Sequence, residues 1–339
     1  MKYATALFCA LLVFAACSQN ETSEVPPPEE GTTQGPQWYH PSPSPHPSAT
    51  ATQPGSGPTY DGCPVFPASD SAYNANIANA PVDSNSGSYI AGLGSNASWS
   101  NDTIEYLNTA NNSTPVLGVS SKEPWHSMPP EPWLSSFRIE QVSDAHSFVL
   151  QKDSCHIYEL YETTYSNGKL SAYSGGDWNL TKPYVVRNPG SSGPNATGTS
   201  MFAGAVKYPE LASGAVNHAL LLIVPYDMLA QWQFVSPATS TDGIPYKGPG
   251  PMAMPYGAKL RLRADFPITG FGTQAKAVVK ALQTYGAIVS DTGCCYKLTY
   301  MHDLASSDAF NFSDLNQIKP RPSDWAVIHL PAVQRVPGH

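Results

Sequence analysis

Ser147-Phe148-Val149-Leu150, the polar turn Gln151-Lys152-Asp153-Ser154, and then His156-Ile157-Tyr158-Glu159-Leu160-Tyr161 form the stretch that decides the fold. Two short runs rich in β-branched and aromatic residues flank a cluster of turn formers, which is the pattern of a β-hairpin. Further on, Asn167-Gly168 marks a second hairpin, because both central positions of a type I′ turn need φ > 0 and these residues accept it. More strands are predicted at 216–224, 259–266 and 287–290. One amphipathic helix is predicted over about 273–285, with Thr273 as N-cap, Ala275, Val278, Val279 and Leu282 on one face, and Gly286 closing it. A shorter helical turn is expected from Ser313. No internal repeat is visible, which excludes a solenoid or propeller. The pattern predicts an all-β fold, β-sandwich or jelly-roll-like, with one amphipathic helix and short helical turns.

The N-terminus addresses the chain. Met1-Lys2 and an apolar run from Ala4 to Phe14 precede Phe14-Ala15-Ala16-Cys17, which reads as a bacterial lipobox. The run is too short to span a bilayer, which needs about 20 apolar residues, but it suits the core of a secretory signal. Residues 1–16 are therefore expected to be a lipoprotein signal peptide, with Cys17 lipidated. An ordinary signal peptide is the alternative. Residues 17–60 carry Pro26-Pro27-Pro28 and Pro41-Ser42-Pro43-Ser44-Pro45, and should form an extended, disordered tether. Residues 61–339 are expected to be a single β-rich globular domain. The protein is thus expected to be exported and lipid-anchored, facing the periplasm or the cell surface, with no other contact to the membrane.

Only 13% of residues are charged, and 18 basic against 26 acidic side chains leave a net charge of −8. A nucleic-acid binder shows the opposite sign and a basic patch, so that class is excluded. Low charge with 18 Tyr and 7 Trp suits a secreted protein that presents polar and aromatic surface to sugars. Of six cysteines, Cys63, Cys155, Cys294 and Cys295 fall in the globular part. In an oxidising compartment all four are expected in disulfides, with three possible pairings. Bonding adjacent Cys294 and Cys295 would close a strained ring, so each is expected to reach Cys63 or Cys155. No CxxC spacing supports a zinc site built on these thiols.

Counting through the two turns puts the hairpins in register. A four-residue loop at 151–154 pairs His146 with Glu159 and Asp144 with Tyr161; the turn at 167–168 pairs Tyr161 with Ser174 and Glu159 with Gly176. Directly opposed residues share a face. One face then carries Asp144, His146, Glu159 and Tyr161, with small Ser174 and Gly176 beside them and Trp178 diagonal to the carboxylate. A sugar-cleaving groove has these parts: Glu159 as acid/base or nucleophile, His146 to orient it, Asp144 as second carboxylate, and Tyr161 and Trp178 to contact sugar. A structural His–Glu pair on a polar sheet face is the competing reading. So is a metal site from His146, Glu159 and His218, although no metal or other cofactor is expected. His218 opens an apolar strand and Asp291 sits at a turn; both are weaker substrate-contact candidates. The alternating strand Lys259-Leu260-Arg261-Leu262-Arg263 offers a basic face, either to acidic sugars or to solvent. Nucleophile-elbow, Walker, His-Glu-x-x-His and dinucleotide motifs are absent.

Several segments in order also resemble a family of secreted bacterial proteins of uncharacterised function. They are Ala80-Pro81-Val82-Asp83-Ser84-Asn85-Ser86, the run from His146 through Cys155 to Tyr161, Asp177-Trp178-Asn179-Leu180, 212–220, 285–291 and Asp314-Leu315-Asn316-Gln317. The chain departs from that pattern at Lys207-Tyr208-Pro209-Glu210 and over 188–204. The resemblance implies a single secreted domain and no particular mechanism, and it covers His146, Glu159, His218 and Asp291. Together these readings lead to a surface-anchored, carbohydrate-active domain that hydrolyses or otherwise cleaves a polysaccharide. The alternatives are a non-catalytic glycan-binding or adhesion module and a structural envelope lipoprotein.

Overall fold

The computed structural model describes residues 57–95, 98–101, 104–122, 128–303 and 310–339. The expected signal sequence, Cys17 and most of the expected tether lie outside the described residues. Over the described residues the chain is mostly sheet with a few short helices, as expected. The strands of the two large sheets are β1 (Ile104–Ala110), β2 (Ser147–Gln151), β3 (His156–Tyr161), β4 (Ser174–Asn179), β5 (Val206–Lys207), β6 (Leu220–Pro225), β7 (Lys259–Leu262), β8 (Ala287–Gly293), β9 (Lys297–Leu298), β10 (Tyr300–Asp303) and β11 (Trp325–Val327). One sheet runs β4-β3-β2-β1-β10-β5 and the other β9-β6-β8-β7-β11. Both are mixed: β1 lies parallel to β2 and to β10, and β6 parallel to β8.

Burial explains why β6 reads as an unbroken apolar run. Leu221 of β6 and Ile288 of β8 pack against Phe148 of β2, Ile157 of β3 and Phe202. Leu220 and Leu222, on the opposite face, pack with Val278 and Leu282 of a long helix. A parallel pair covered on both faces has no polar side to show. The far face of β2 and β3 is covered too, because Val149 and Leu160 meet Trp133, Leu170 and Ala172.

Among the described residues five α-helices accompany these sheets: α1 (Ser86–Gly92), α2 (Met201–Gly204), α3 (Tyr208–Ser213), α4 (Thr273–Thr284) and α5 (Phe312–Leu315). In α4 the predicted apolar positions Ala275, Val278, Val279 and Leu282 are all buried. Its N-cap is Gly272 rather than Thr273, and Gly272 offers no side chain to the helix. Asp314 of α5 supplies the cap from a distance: it accepts from Gly272 N–H (2.6 Å) and Ala275 N–H (3.0 Å). The carboxylate takes the place where a side chain at 272 would be, since an added Cβ would stand 2.5 Å from Asp314 Oδ2. Asp314→Ala is expected to cost about 1–2 kcal/mol, the usual worth of a helix cap. In a chain of this size that lowers Tm by roughly 2–8 °C, which differential scanning calorimetry would detect.

The disulfide expectation is half corrected. Cys63 and Cys155 bond to each other, not to the cysteines at the end of β8. Cys155 lies in the β2–β3 turn, where the N-terminal segment arrives and Lys152 forms an ion pair with Asp61. Cys294 and Cys295 lie in the turn between β8 and β9 of the other sheet, and their Sγ atoms stand 2.9 Å from each other. The Cys63–Cys155 bond is consistent with an oxidising extracellular or periplasmic location. Among the described residues no helix is long and apolar enough to cross a membrane.

Candidate functional site

The second turn forms as read: Asn167 and Gly168 both have positive φ, 52° and 73°. The β3–β4 register is also as counted, with Tyr161 opposite Ser174 and Glu159 opposite Gly176. The β2–β3 register is displaced by two. Cys155 takes φ 49° and joins the turn, so Gln151 pairs with His156 and Phe148 opposes Glu159. A shift of two keeps every side chain on its face but changes its neighbours. The direct His146–Glu159 pair is therefore corrected: the His146 ring lies 5.5 Å from that of Tyr161 and 5.8 Å from that of Phe148.

Glu159 is fully buried. Its carboxylate accepts from Ser200 Oγ–H, from Met201 N–H (2.7 Å) and more distantly from Phe202 N–H (3.4 Å), so it closes the start of α2. Burial raises this carboxyl to about 7 against the opposing pull of Ser200, the two backbone donors and Arg187. The room expected beside it for a sugar ring is filled by the protein. A Cβ at Gly176 would meet Trp178 at 2.6 Å and Arg187 Nη1 at 3.1 Å. Trp178 is itself 5% exposed, with Arg187 over its ring and Tyr184 stacked on it. His218 is sealed as well: Nδ1–H donates to Ala219 O (2.9 Å) and Nε2 meets Glu210 Oε1 (2.9 Å). The metal set of His146, Glu159 and His218 is not brought together, since each ring or carboxylate is engaged elsewhere.

The other candidates do converge. The charge of Asp144, which is exposed, acts on both His146 and Asp291. Asp291, at the half-buried end of β8, is raised to about 7 by burial and by Asp242. The segment 188–200 bridges the two sheets here. Pro194 O accepts from His146 Nε2–H (2.8 Å), Ala196 N–H donates to Asp291 (3.3 Å), and Gly193 O accepts from Ser174 (2.7 Å).

Two residues missed in the sequence complete this patch. Glu140 Oε2 lies 2.9 Å from His146 Nδ1, and Glu105 Oε1 lies 3.8 Å from it. Burial alone would push His146 down. Glu105, Glu140 and Asp144 outweigh it and raise the imidazole to about 10. Glu105 is raised to about 7 by burial, opposed by His146. The only local signal was Glu140, six residues before His146; Glu105 comes from a distant parallel strand.

Beside the patch opens a cavity of about 400 Å³ lined by Tyr106, Ser135, Phe137, Arg138, Gln141 and Tyr165, together with Ile139. No protein-family model, curated protein or solved structure matches the chain. The site therefore has to be read from its own chemistry. Arg138 stacks over the Tyr106 ring at 5.2 Å, and among the described residues no carboxylate lines the cavity. The basic strand face proves to be a clamp. Lys259 Nζ donates to Ala72 O (2.6 Å), Arg261 Nη1 donates to Ile77 O (2.6 Å) and Ala80 O (3.1 Å), and Arg263 pairs with Asp265.

Proposed function

We propose that this is an exported, lipid-anchored envelope protein whose domain binds an acidic glycan in the groove of Tyr106, Phe137, Arg138 and Tyr165. The observation that carries the reading is an aromatic, arginine-bearing wall, with no carboxylate among its described residues. Aromatic faces stack on the apolar faces of sugar rings, and a guanidinium matches a carboxylate or sulfate group with two parallel hydrogen bonds. Glycoside hydrolysis needs two carboxylates flanking the bond. With Glu159 enclosed and capping α2, binding is favoured over cleavage. Anchorage at Cys17 through the 17–60 tether would hold the groove clear of the membrane, within reach of envelope or extracellular polysaccharide.

Retention on a panel of neutral and acidic polysaccharides, scored together with release of reducing ends, tests this. Arg138→Ala is expected to weaken retention on the acidic members roughly 10- to 100-fold, the worth of a charge-assisted hydrogen bond, with Tm unchanged. Tyr165→Ala should weaken retention on every bound glycan. Retention that survives both substitutions would remove the groove from consideration, and reducing-end release would restore the hydrolytic reading.

A further inference from the structure

Beneath the groove, three elements bring a different chemistry together. Glu105 stands on β1, Glu140 lies in the segment leading to β2, and His146 immediately precedes β2. Their side chains are 5–9% exposed, and one ligand atom from each lies within 4.8 Å of the others. The imidazole orientation is informative. Nε2 faces Pro194 O at 2.8 Å, and a carbonyl only accepts, so Nε2 carries a proton. Nδ1 then faces two carboxylates, and in the neutral ring it turns a lone pair toward them. A proton or a metal cation has to lie between them.

Glu105 adds an independent observation. Its Oε2 is a buried oxygen with no hydrogen-bond partner, on a side chain aimed at His146. A second proton on the imidazole satisfies Glu140 and leaves that oxygen without a bond. We infer that Glu105, Glu140 and His146 hold a divalent transition-metal ion, zinc foremost, through Nδ1 and the two carboxylates. The spacing suits it: a tetrahedral site with bonds of about 2.0–2.1 Å has ligand edges of roughly 3.3 Å, so small side-chain rotations close the set. The imidazole nitrogen selects this class over magnesium or calcium, which take oxygen ligands. The Pro194 carbonyl plays the outer-shell part seen for metal-bound histidines, fixing ring and tautomer. Three protein ligands leave the fourth position to a water, and the ion would tie β1 and the 138–146 segment to the 188–200 bridge through the ring held on Pro194 O. Tyr106 and Gln141, each next to a ligand, line the groove, so an effect of the ion on glycan retention is expected; that clause alone rests on the binding function proposed above.

The test uses the full chain purified in detergent, in a Cys294→Ser/Cys295→Ser background so that thiolates contribute nothing. After removal of metal with a chelator, the chain is titrated with zinc sulfate by calorimetry. One ion per chain is expected, with Tm raised by several degrees at saturation. Glu105→Gln, which keeps the side-chain shape, and His146→Ala should each weaken binding at least about 10- to 100-fold. Should His146→Ala fail to fold, cobalt substitution of the parent serves in its place, and a tetrahedral nitrogen–oxygen spectrum is expected. Absence of stoichiometric uptake, or uptake that survives Glu105→Gln, would overturn the site. Zinc uptake without polysaccharide retention would sink the groove reading and leave the metal site standing.

Discussion

Glu159→Ala is expected to destabilise the domain by about 3–5 kcal/mol at pH 5, and by less at pH 8. The substitution removes a fully buried acceptor of Ser200, Met201 and Phe202 and opens a cavity against Trp178 and Arg187. Buried donors left without partners cost roughly 1–3 kcal/mol each, and the cavity adds to that. The pH dependence follows from the raised carboxyl. Its folded value of about 7 exceeds the ordinary 4.5, so the native state binds this proton more tightly than the unfolded chain. Stability from this group is fully present below about pH 4.5 and is lost as pH rises through 7, by about 3 kcal/mol at 1.36 kcal/mol per unit. The groups acting on it or acted on by it are Arg187, Lys207, Tyr73 and Tyr184, and the guanidinium remains charged across this window. Glu159→Gln imitates the protonated acid, donating to Ser200 and accepting from Met201. Urea unfolding at pH 5 and pH 8 should show a smaller loss of stability in Glu159→Gln than in wild type, the difference between the two being about 2–3 kcal/mol. Asp291 and Glu105, each raised to about 7 chiefly by burial, contribute slopes of the same sign to both proteins and cancel in the comparison. Equal slopes in wild type and Glu159→Gln would show that Glu159 ionises alike in folded and unfolded chain, and the account of its burial would fail.

The elements legible in the sequence are those whose causes are local. Asn167-Gly168 demands positive φ on its own, and counting from it placed Glu159 opposite Gly176 correctly. The apolar spacing of α4 is equally self-contained, whereas its cap is not: Asp314 lies far along the chain from Gly272. The β2–β3 register slipped by two because a cysteine in a disulfide took a left-handed conformation inside the turn, and nothing in 151–155 announces that partner. Parallel pairing of β1 with β2 and β10 has no short-range signal at all. The same division runs through the site. Asp144, His146, Tyr161 and Asp291 reach one patch, while Glu159, Trp178 and His218 are drawn inward. Alternation tells which residues share a face, and it is silent on whether that face is open or covered. Gly176 looked like room for a ligand; Trp178 and Arg187 use that room. Glu140 becomes a partner of His146 only because the chain folds back, with Glu140 N–H donating to His146 O at 2.9 Å.

Cys155→Ala is expected to lower stability by about 4–5 kcal/mol, and Tm by roughly 10–20 °C in a chain of this size. The Cys63–Cys155 bond spans a sequence separation of 92, so its loss frees a long loop in the unfolded chain. The bond also holds the N-terminal segment, including Val65 and Phe66, over the core beneath β2 and β3. Without it that segment keeps its apolar packing and the Asp61–Lys152 ion pair, which lies near the surface and is worth little by itself. Two comparisons separate the cross-link from the residue. Cys155 has φ 49°, a conformation that costs a non-glycine residue about 1 kcal/mol or more. Cys155→Gly should therefore be more stable than Cys155→Ala by about that amount, although both lack the bond. Treating the wild type with a reductant should reproduce most of the loss, and Cys294→Ser should leave Tm close to wild type, because no bond joins the two halves of the cysteine set. A reductant that leaves Tm unchanged, or a peptide map joining Cys63 to Cys294 or Cys295, would show that the chain closes a different loop. The β2–β3 turn would then need another reason for its left-handed residue.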